Sequence, residues 1–304
     1  MPSIRELFQA ARRVGTVLLG KQMAGRGVTC FADDVFLVSY PRSGNTWTRF
    51  LIGNLLYPDE PSTFLNIESR IPEIYFNQDW KLRRLPRPRL LKSHEAFEPR
   101  YPRVIYVVRD PRDVAVSSYH HNIKTRSLPE GCPLEEYVSR FVGPQWEAGG
   151  SWGDNAMSWL ALRQNRPTFL LLRYEDLRSD PESELCRLAD FLKAAGFRNV
   201  DAAPERIARA VELGSAERMR RLEKVQSRHW VTTKWTRQDK PFIRTATSGG
   251  WRSVLSSASA AQIESAWGPL MQRLGYELSV CTVSSAALEF QSEALQLPEV
   301  SPKH

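Results

Sequence analysis

The amino-acid sequence predicts a three-layer α/β fold, in which helices flank a central parallel sheet of about five strands. Four short apolar runs are continuous rather than alternating, which is typical of strands that are buried on both faces. Stretches with the apolar spacing of helices separate these runs. Because strand and helix alternate along the chain, the order favours a doubly wound sheet with right-handed crossovers.

The predicted elements follow one another in a regular order. The strands are predicted at Val35–Ser39, Leu90–Lys92, Val104–Val108 and Thr168–Leu172. The helices are predicted at Thr46–Tyr57, Pro111–His121, Asp154–Gln164 and Pro181–Ala195. Two of these helices have clear start signals, since Asp110-Pro111 and Asp180-Pro181 each combine a capping aspartate with a first-turn proline.

Composition and charge limit the class of protein. The chain has 304 residues, 42% of them hydrophobic, which is enough for a core that needs no disulfide or metal. Its net charge of +8 suggests an anionic partner, although the same excess would also serve solubility alone. The four cysteines have no metal-binding spacing and are expected to be reduced thiols of a cytoplasmic protein. No apolar run approaches the roughly 20 residues of a membrane helix, so we predict no integral membrane segment.

Residues 1–280 are predicted to form a single domain. Within it, residues 1–30 are predicted to be a helix and lead-in, because apolar residues recur at helical spacing from Ile4 to Leu18. A helix packed on the domain is favoured, and an amphipathic helix on a membrane surface is the alternative. Residues 281–304 lose this periodicity and are predicted to be a poorly ordered tail.

The turn "YPRSGNTW", which links the first strand to the first helix, gathers hydrogen-bond donors. In an open α/β sheet, ligands bind beyond the carboxyl ends of the strands, where this turn lies. Arg42 adds a planar charged fork, Ser43 and Thr46 add hydroxyl groups, and Gly44 allows the backbone to approach a ligand closely. The start of a helix adds unpaired N–H groups and the positive end of its dipole. The turn is therefore predicted to be an anion cradle, with an ordinary strand–helix connection as the alternative.

This turn resembles the 5′-phosphosulfate loop of the cytosolic sulfotransferase family, which carries Tyr-Pro-Lys-Ser-Gly-Thr-Thr-Trp. Four later stretches resemble segments of that family, in the same order: "LLKSHEAF", "VIYVVRDPRDVAVSSYHH", "GSWGDNAMSWLALRQNRPTFLLLRYEDLRSDP" and "PFIRTATSGGWRS". The resemblance covers roughly residues 35–276. The resemblance implies a P-loop-like fold and an enzyme that depends on 3′-phosphoadenosine 5′-phosphosulfate (PAPS).

The resemblance also implies the reaction and the residues that bind the cofactor. A sulfuryl group would pass in line from PAPS to a hydroxyl or amine of a small-molecule acceptor, leaving 3′-phosphoadenosine 5′-phosphate (PAP). The implied binding residues are Arg42, Ser43, Gly44, Asn45, Thr46 and Trp47 around the 5′ end, Arg109 and Ser117 at the 3′-phosphate, Tyr174 at the adenine, and Arg244 in a C-terminal phosphate loop. No metal is expected, because fixed cations can balance the smaller charge of a sulfuryl group.

Three catalytic residues are implied in the same way. His94 matches the family's general base, and Lys92 matches a lysine that steadies the transferring group. Arg42 stands where the family usually has a catalytic lysine, so we expect it to stabilise charge rather than to donate a proton. The other histidines, His120, His121, His229 and His304, are expected to be structural.

Two stretches depart from the family pattern. Thr245-Ala246 follow Arg244 where the family has lysine and glycine, so one cation is missing and Arg252 is the candidate to replace it. Gly214-Ser215-Ala216, ahead of Met219, lack the phenylalanine that stacks on adenine in the family. Compared with the family, the expected site therefore has one cation fewer at the 3′-phosphate and lacks the ring that stacks on adenine.

The acceptor pocket is expected in loops that vary in sequence, namely Ser62–Asp79, Ser127–Gly153 and Lys234–Thr247. These loops contain the aromatic residues Phe64, Tyr75, Phe76, Trp146, Trp152 and Trp235. Such residues favour a flat or apolar acceptor over a charged sugar chain. The sequence leaves open whether the acceptor is a phenol, alcohol, amine or sugar, and it leaves the oligomeric state open.

Two other classes of function compete with this interpretation. A P-loop-type nucleotide or small-molecule kinase would need the loop G-x-x-x-x-G-K-[ST] and a Mg²⁺ site, and neither is apparent. A non-catalytic polyanion-binding protein would need basic clusters mixed with aromatic residues, for which "RRLPRPR" at 83–89 is a short candidate. We predict no nucleic-acid partner.

Overall fold

A computed structural model describes residues 23–143 and 150–279. Four parallel strands form one sheet in the order β2-β1-β3-β4. They are β1 (Val35–Ser39), β2 (Leu90–Ser93), β3 (Arg103–Val108) and β4 (Phe169–Arg173). Each strand lies within one residue of its predicted bounds, which confirms the α/β fold with a parallel sheet.

The described residues contribute four strands where about five were expected. The segment around Glu73 runs parallel to β2 but makes a single bridge to Lys92 rather than a full strand. The Lys92 N–H donates to the Pro72 carbonyl at 2.9 Å, and the Ile74 N–H donates to the Lys92 carbonyl at 3.1 Å. This edge segment therefore lies along β2, at the position of a fifth strand.

Helices connect the strands and cover the sheet. They are α1 (Asn45–Leu56), α2 (Ile67–Arg70), α3 (Asp79–Leu82), α4 (Pro111–Lys124), α5 (Leu134–Val142), α6 (Trp152–Arg163), α7 (Tyr174–Ser179), α8 (Pro181–Ala194), α9 (Pro204–Leu213), α10 (Ala216–Gln226) and α11 (Ser257–Arg273). Short 3₁₀ turns lie at Gly25–Gly27 and Gly250–Ser253. The predicted aspartate caps are present, since Asp110 accepts from the Arg112 N–H and Asp180 accepts from the Ser183 N–H.

Hydrophobic side chains cover both faces of the sheet, as continuous apolar strands require. Phe36, Val38 and Tyr106 belong to one buried cluster, which includes tryptophans of α6. Val35 and Ile105 point the other way, into a cluster built largely from α1, α8 and α9. The alternation within each strand places helices in layers on both sides, which confirms the three-layer prediction.

The parallel register brings the carboxyl ends of the strands to one edge. Val38 pairs with Ser93 and Ser39 pairs with Val107, so the residues that follow β1, β2 and β3 meet at that edge. There the chain continues into the turn 40–44, into His94 and into Arg109. The fold thus gathers the residues that the sequence motifs singled out.

Some predictions fall outside the described residues. These are the helix expected in residues 1–22, the tail 281–304, Trp146, Cys281 and His304. The single domain over residues 1–280 stays a prediction. In the part of the chain that the structure describes, no helix is long and apolar enough to cross a membrane.

Candidate active site

A cavity of ≈ 590 Å³ lies at the carboxyl edge of the sheet. Its walls come from the turn after β1, from Lys92 and His94 at the end of β2, from one face of α4, and from the segment 242–254. Of the residues expected at the site, all but Ser43 line this cavity. The structure therefore brings together residues that are up to about 200 positions apart in the sequence, such as Arg42 and Phe242.

The turn after β1 depends on Gly44. Gly44 has φ 99°, and a Cβ at this position would lie 2.5 Å from the ring of Tyr174. Asn45 does not reach into the cavity with its amide, because the Nδ2 group donates back to the Leu37 carbonyl and the Ser39 hydroxyl at 3.3 and 3.1 Å. Ser43 is fully buried, and its hydroxyl has no partner among the described residues. The Asn45 amide thus supports the turn from behind.

The start of α1 is open to a ligand. Gly44 is the N-cap, and no side chain caps the first N–H groups of the helix. These groups and the positive end of the dipole face the cavity, where Thr46 also lies. An anionic group fits this position, since nothing in the described chain satisfies the N–H groups there.

Arg42 is held in place by two other parts of the chain, α4 and the segment that contains Phe242. Its Nε donates to the Ser117 hydroxyl at 3.2 Å and its Nη2 donates to the Phe242 carbonyl at 3.3 Å. The guanidinium also lies 4.5 Å from the centre of the Phe242 ring. Burial, and then the charges of Arg109 and Arg244, lower the pKa of Arg42 to about 10. The side chain therefore stays charged at neutral pH.

Arg109 and Asp113 join the start of α4 to the C-terminal loop. Arg109 donates to the Thr247 carbonyl at 2.9 Å and stacks on Tyr174 at 4.2 Å. Asp113 accepts from the Gly249 and Trp251 N–H groups at 2.7 and 3.0 Å. The loop that was expected to bind phosphate is thus fixed to α4 by a carboxylate that the sequence analysis did not assign to this role.

Three arginines share one wall of the cavity. Arg244 is half-buried, and among the described residues its guanidinium has no hydrogen bond or ion pair. Burial and then the charge of Arg109 lower the pKa of Arg244. Arg109 has Asp113 at 3.9 Å, whereas Arg42 and Arg244 have no ion pair among the described residues. The wall therefore carries an excess of positive charge, and an anion with several charges fits it. The residue expected to replace the missing cation, Arg252, is exposed beside Trp251 and does not line the cavity.

Aromatic side chains line the far end of the cavity. The Trp47 indole donates to the Gly214 carbonyl at 2.9 Å and meets the Tyr174 ring edge to face at 5.4 Å. Ala216, which stands where the family has its stacking phenylalanine, lines the cavity nearby, and so does Met219. Arg178, which the motifs did not identify, also lines the cavity and lies 5.5 Å from the Trp47 ring.

His94 has a defined tautomer. Its Nδ1 lies 2.7 Å from the Ser39 carbonyl oxygen. Because a carbonyl oxygen can only accept, Nδ1 carries the hydrogen and Nε2 keeps its lone pair. Burial, and then the charge of Lys92, lower the pKa of His94 to about 4. The ring is therefore neutral at physiological pH and able to accept a proton.

Lys92 is paired with a carboxylate that no sequence motif identifies. Its Nζ lies 2.6 Å from Oε2 of Glu73, and both side chains are 7% exposed. Burial lowers the pKa of Lys92, while Glu73 opposes that effect. No motif surrounds Glu73, and the single bridge between the edge segment and β2 places it here.

His121 also lies in the cavity, although it was expected to be structural. Its Nδ1 is 3.5 Å from Nη1 of Arg42, and its ring meets Phe242 edge to face. Helical spacing was the available signal, since His121 lies one turn after Ser117 on the same face of α4.

The expected aromatic acceptor pocket was wrong for most of its residues. Phe64 and Trp152 are buried in the core, Trp235 is 81% exposed, and the Tyr75 hydroxyl donates to Glu95. Of the five aromatic residues that the structure describes, Phe76 lines the cavity. The sequence places these residues in the expected loops, but it does not show whether their side chains face the cavity, the core or solvent.

Known proteins resemble this chain over most of its length. The sulfotransferase domain family matches residues 32–275, which is most of the chain. Sulfotransferase 1B1 from Mus musculus is 28% identical over 265 residues, which cover 82% of this chain and 85% of that protein. Cytosolic sulfotransferase 12 from Arabidopsis thaliana is 28% identical over 280 residues, which cover 84% of this chain and 83% of that one.

Solved structures share the fold. Retinol dehydratase in complex with androsterone and the inactive cofactor PAP has a TM-score of 0.68 at 21% identity, covering 84% of this chain and 85% of its own. Mouse sulfotransferase SULT7A1 complexed with PAP has a TM-score of 0.65 at 21% identity, covering 89% and 92%. With the family match over most of its length, this chain belongs to the sulfotransferase family of the cytosolic type.

Proposed function

We propose that this protein transfers the sulfuryl group of PAPS to a hydroxyl or amine of a small-molecule acceptor. The observation that carries the proposal is one cavity in which Arg42, Arg109 and Arg244 face an uncapped helix start and a neutral His94. When bound, PAPS supplies the sulfuryl group: the acceptor atom bonds to sulfur, the bond from sulfur to the phosphate oxygen breaks, and PAP leaves with that electron pair.

The residues at the two ends of the cavity suit the two anionic ends of the nucleotide. The start of α1, with Thr46 and Arg42, would hold the 5′ end through N–H groups and a charged fork. Arg109, Ser117 and Arg244 would hold the 3′-phosphate. Trp47 and Tyr174 would lie along the adenine, with Gly44 giving room and with Ser43 and Asn45 supporting the turn.

His94 is the proposed general base. Its Nε2 accepts the proton of the acceptor, while the Ser39 carbonyl keeps the ring in the required tautomer. Help of this kind is typically worth ~10²–10⁴ in rate. Arg42 and Lys92 stabilise negative charge as it develops, and Arg42 does so without giving up a proton.

The setting of the reaction is also part of the proposal. We propose a cytoplasmic location, supported by the likeness to a relative named as cytosolic. A small-molecule acceptor is supported by the androsterone and retinol named in the complexes of retinol dehydratase. We expect no need for a metal, because the arginines and Lys92 supply fixed positive charge.

The test is an incubation with PAPS, EDTA and a panel of phenols, alcohols, amines and sugars, followed by mass spectrometry of the products. Sulfated product in EDTA is expected. A parallel reaction with ATP and Mg²⁺ tests for a kinase, and phosphorylated product without sulfated product would overturn the proposal. Heparin and RNA test for a polyanion binder, for which the cluster at 83–89 offers few free charges, since Arg87 and Arg89 pair with Asp33 and Asp34.

A further inference from the structure

The half of the cavity that adjoins His94 is lined by polar side chains from α4. Beyond Ser117, which is proposed to hold the 3′-phosphate, every residue of α4 that lines the cavity is polar: Ser118, His121 and Asn122. Thr125, at the C-cap, continues the same face. Helix faces turned inward are normally apolar. A polar inward face points to a ligand that forms hydrogen bonds.

His121 presents a donor on this face. Arg42 can only donate, so the Nδ1 of His121 beside it is the accepting nitrogen and Nε2 carries the hydrogen. Burial, and then the charge of Arg42, keep the ring neutral by lowering the pKa of His121 to about 2. The neighbouring base has the opposite arrangement, with a lone pair on Nε2 of His94. The two rings thus offer a donor and an acceptor to one ligand.

Glu73 offers a second acceptor on the wall beside Lys92. Among the described residues that line the cavity, Glu73 and Asp113 are the acidic ones. Asp113 is taken by the Gly249 and Trp251 N–H groups. Lys92 takes Oε2 of Glu73, whereas no donor of the described chain reaches its Oε1. A carboxylate oxygen beside the general base is therefore left for the ligand.

In the part of the chain that the structure describes, neither phenylalanine that lines the cavity forms a closed apolar wall. Phe76 lies at the rim and is 39% exposed, and the Phe242 ring is covered by the guanidinium of Arg42. An apolar acceptor would cover the free oxygen of Glu73 without giving it a donor, which costs free energy. This is the reverse of the flat, apolar acceptor that the aromatic loops favoured.

We propose that the acceptor is a polar molecule with a second hydrogen-bond donor, a hydroxyl or a protonated amine, next to the group that is sulfated, and that Glu73 accepts a hydrogen bond from this second donor. The inference rests on the proposed function and names its acceptor class. A site that pairs a polar group of its substrate rejects an analogue that lacks the group, because the site's own polar atom is then left unpaired.

Three matched acceptors test the inference: cyclohexanol, trans-cyclohexane-1,2-diol and trans-2-aminocyclohexanol, each with PAPS. Comparing kcat/KM within one protein cancels effects on the step that all three share. We expect the diol or the amino alcohol to exceed cyclohexanol by at least about tenfold. Equal or faster sulfation of cyclohexanol, or no product from either polar acceptor while PAP binds, would overturn the inference.

Variants of Glu73 separate the two possible donors. In Glu73→Leu, the kcat/KM of each polar acceptor divided by that of cyclohexanol should fall close to one. Glu73→Gln should keep a preference for the diol, since the amide oxygen still accepts, but lose a preference for the amino alcohol. Glu60→Gln makes the same change on a carboxylate that is 76% exposed, and it should keep the native ratios. Native ratios in Glu73→Leu would contradict the role of Glu73.

Calorimetry with PAP separates failure of this inference from failure of the proposed function. PAP binding together with a preference for cyclohexanol overturns the acceptor class and leaves the proposed function standing. Absence of PAP binding removes both. The comparison of acceptors on the native protein decides the matter even if Glu73→Leu does not fold.

Discussion

At the scale of single residues, the chemistry of the site depends on which ring nitrogen of each histidine is left free by its neighbour. The Ser39 carbonyl fixes the proton of His94 on Nδ1, and Arg42 fixes the accepting nitrogen of His121. The two histidines have the same side chain but offer opposite groups to a ligand. The sequence shows where the two histidines stand, whereas their tautomers follow from the partners that the fold supplies.

Substituting His94 tests its role as the base. His94→Ala should lower kcat by ~10²–10⁴, because general-base help is lost. PAP affinity, measured by calorimetry, should stay near the native value, since the nucleotide is held by other residues. His229→Ala, at an exposed histidine, is the matched control and should keep native turnover. Native kcat in His94→Ala would remove this residue from the mechanism.

The pH dependence of the rate gives a second test of the same residue. His94 acts in its neutral form, and its pKa is lowered to about 4 by burial and by Lys92. The kcat/KM for the donor, which reports the free enzyme, should therefore be level above about pH 5 and fall as pH decreases through about 4. An acid limb centred near 6.5, the ordinary value for histidine, would contradict the buried, neutral ring.

Ala246 carries backbone strain in the C-terminal phosphate loop. It has φ 52°, the left-handed region that glycine adopts without cost, and the family has a glycine there. Ala246→Gly should raise the free energy of unfolding by roughly 0.5–1 kcal/mol in urea denaturation. The control Ala195→Gly, at φ −81°, should lower it. Equal losses in both variants would show that the left-handed backbone is not strained.

Helix α4 organises the site at the scale of elements. Asp113 near its start holds the Gly249 and Trp251 N–H groups, and Lys124 at its end donates to the Arg237 and Lys240 carbonyls at 2.8 and 2.5 Å. The face between them lines the cavity. One helix therefore positions both the loop at the proposed nucleotide site and the segment at the proposed acceptor site.

A substitution of Asp113 shows whether this carboxylate acts by positioning the C-terminal loop or only through its negative charge. Asp113→Ala should weaken PAP binding by at least about tenfold, because two charge-assisted hydrogen bonds to the loop are lost. Loss of a negative charge alone would instead strengthen the binding of an anion. Asp176→Ala removes a surface carboxylate and serves as the control. Calorimetry that finds unchanged or tighter PAP binding in Asp113→Ala would contradict the positioning role.

Strands and helices could be predicted from the sequence because their signals are local. The apolar runs gave each strand within one residue, and the aspartate–proline pairs gave the starts of α4 and α8. Partners on other elements could not be predicted in this way. Glu73 reaches Lys92 through a single bridge, and Asp113 reaches Gly249 over 136 positions. The proposed acceptor side depends on such contacts, so the roles proposed for Glu73 and His121 could not be predicted from the sequence.

At the scale of the whole molecule, the fold gathers part of the positive charge in one cavity. A net charge of +8 leaves the kind of anion open, whereas three arginines in one cavity point to a ligand with several negative charges. The cation expected from Arg252 lies elsewhere, and Arg178 lines the cavity instead. We therefore expect the ligand to be a nucleotide with negative charge at both ends.

Calorimetric titration with PAP and with adenosine 5′-monophosphate, both in EDTA, tests this claim most directly. The two ligands differ in the 3′-phosphate, which Arg109 and Arg244 are proposed to hold. Two lost charge-assisted contacts should make the monophosphate at least about a hundredfold weaker than PAP. No heat of binding with PAP, or equal affinity for the two nucleotides, would contradict the account.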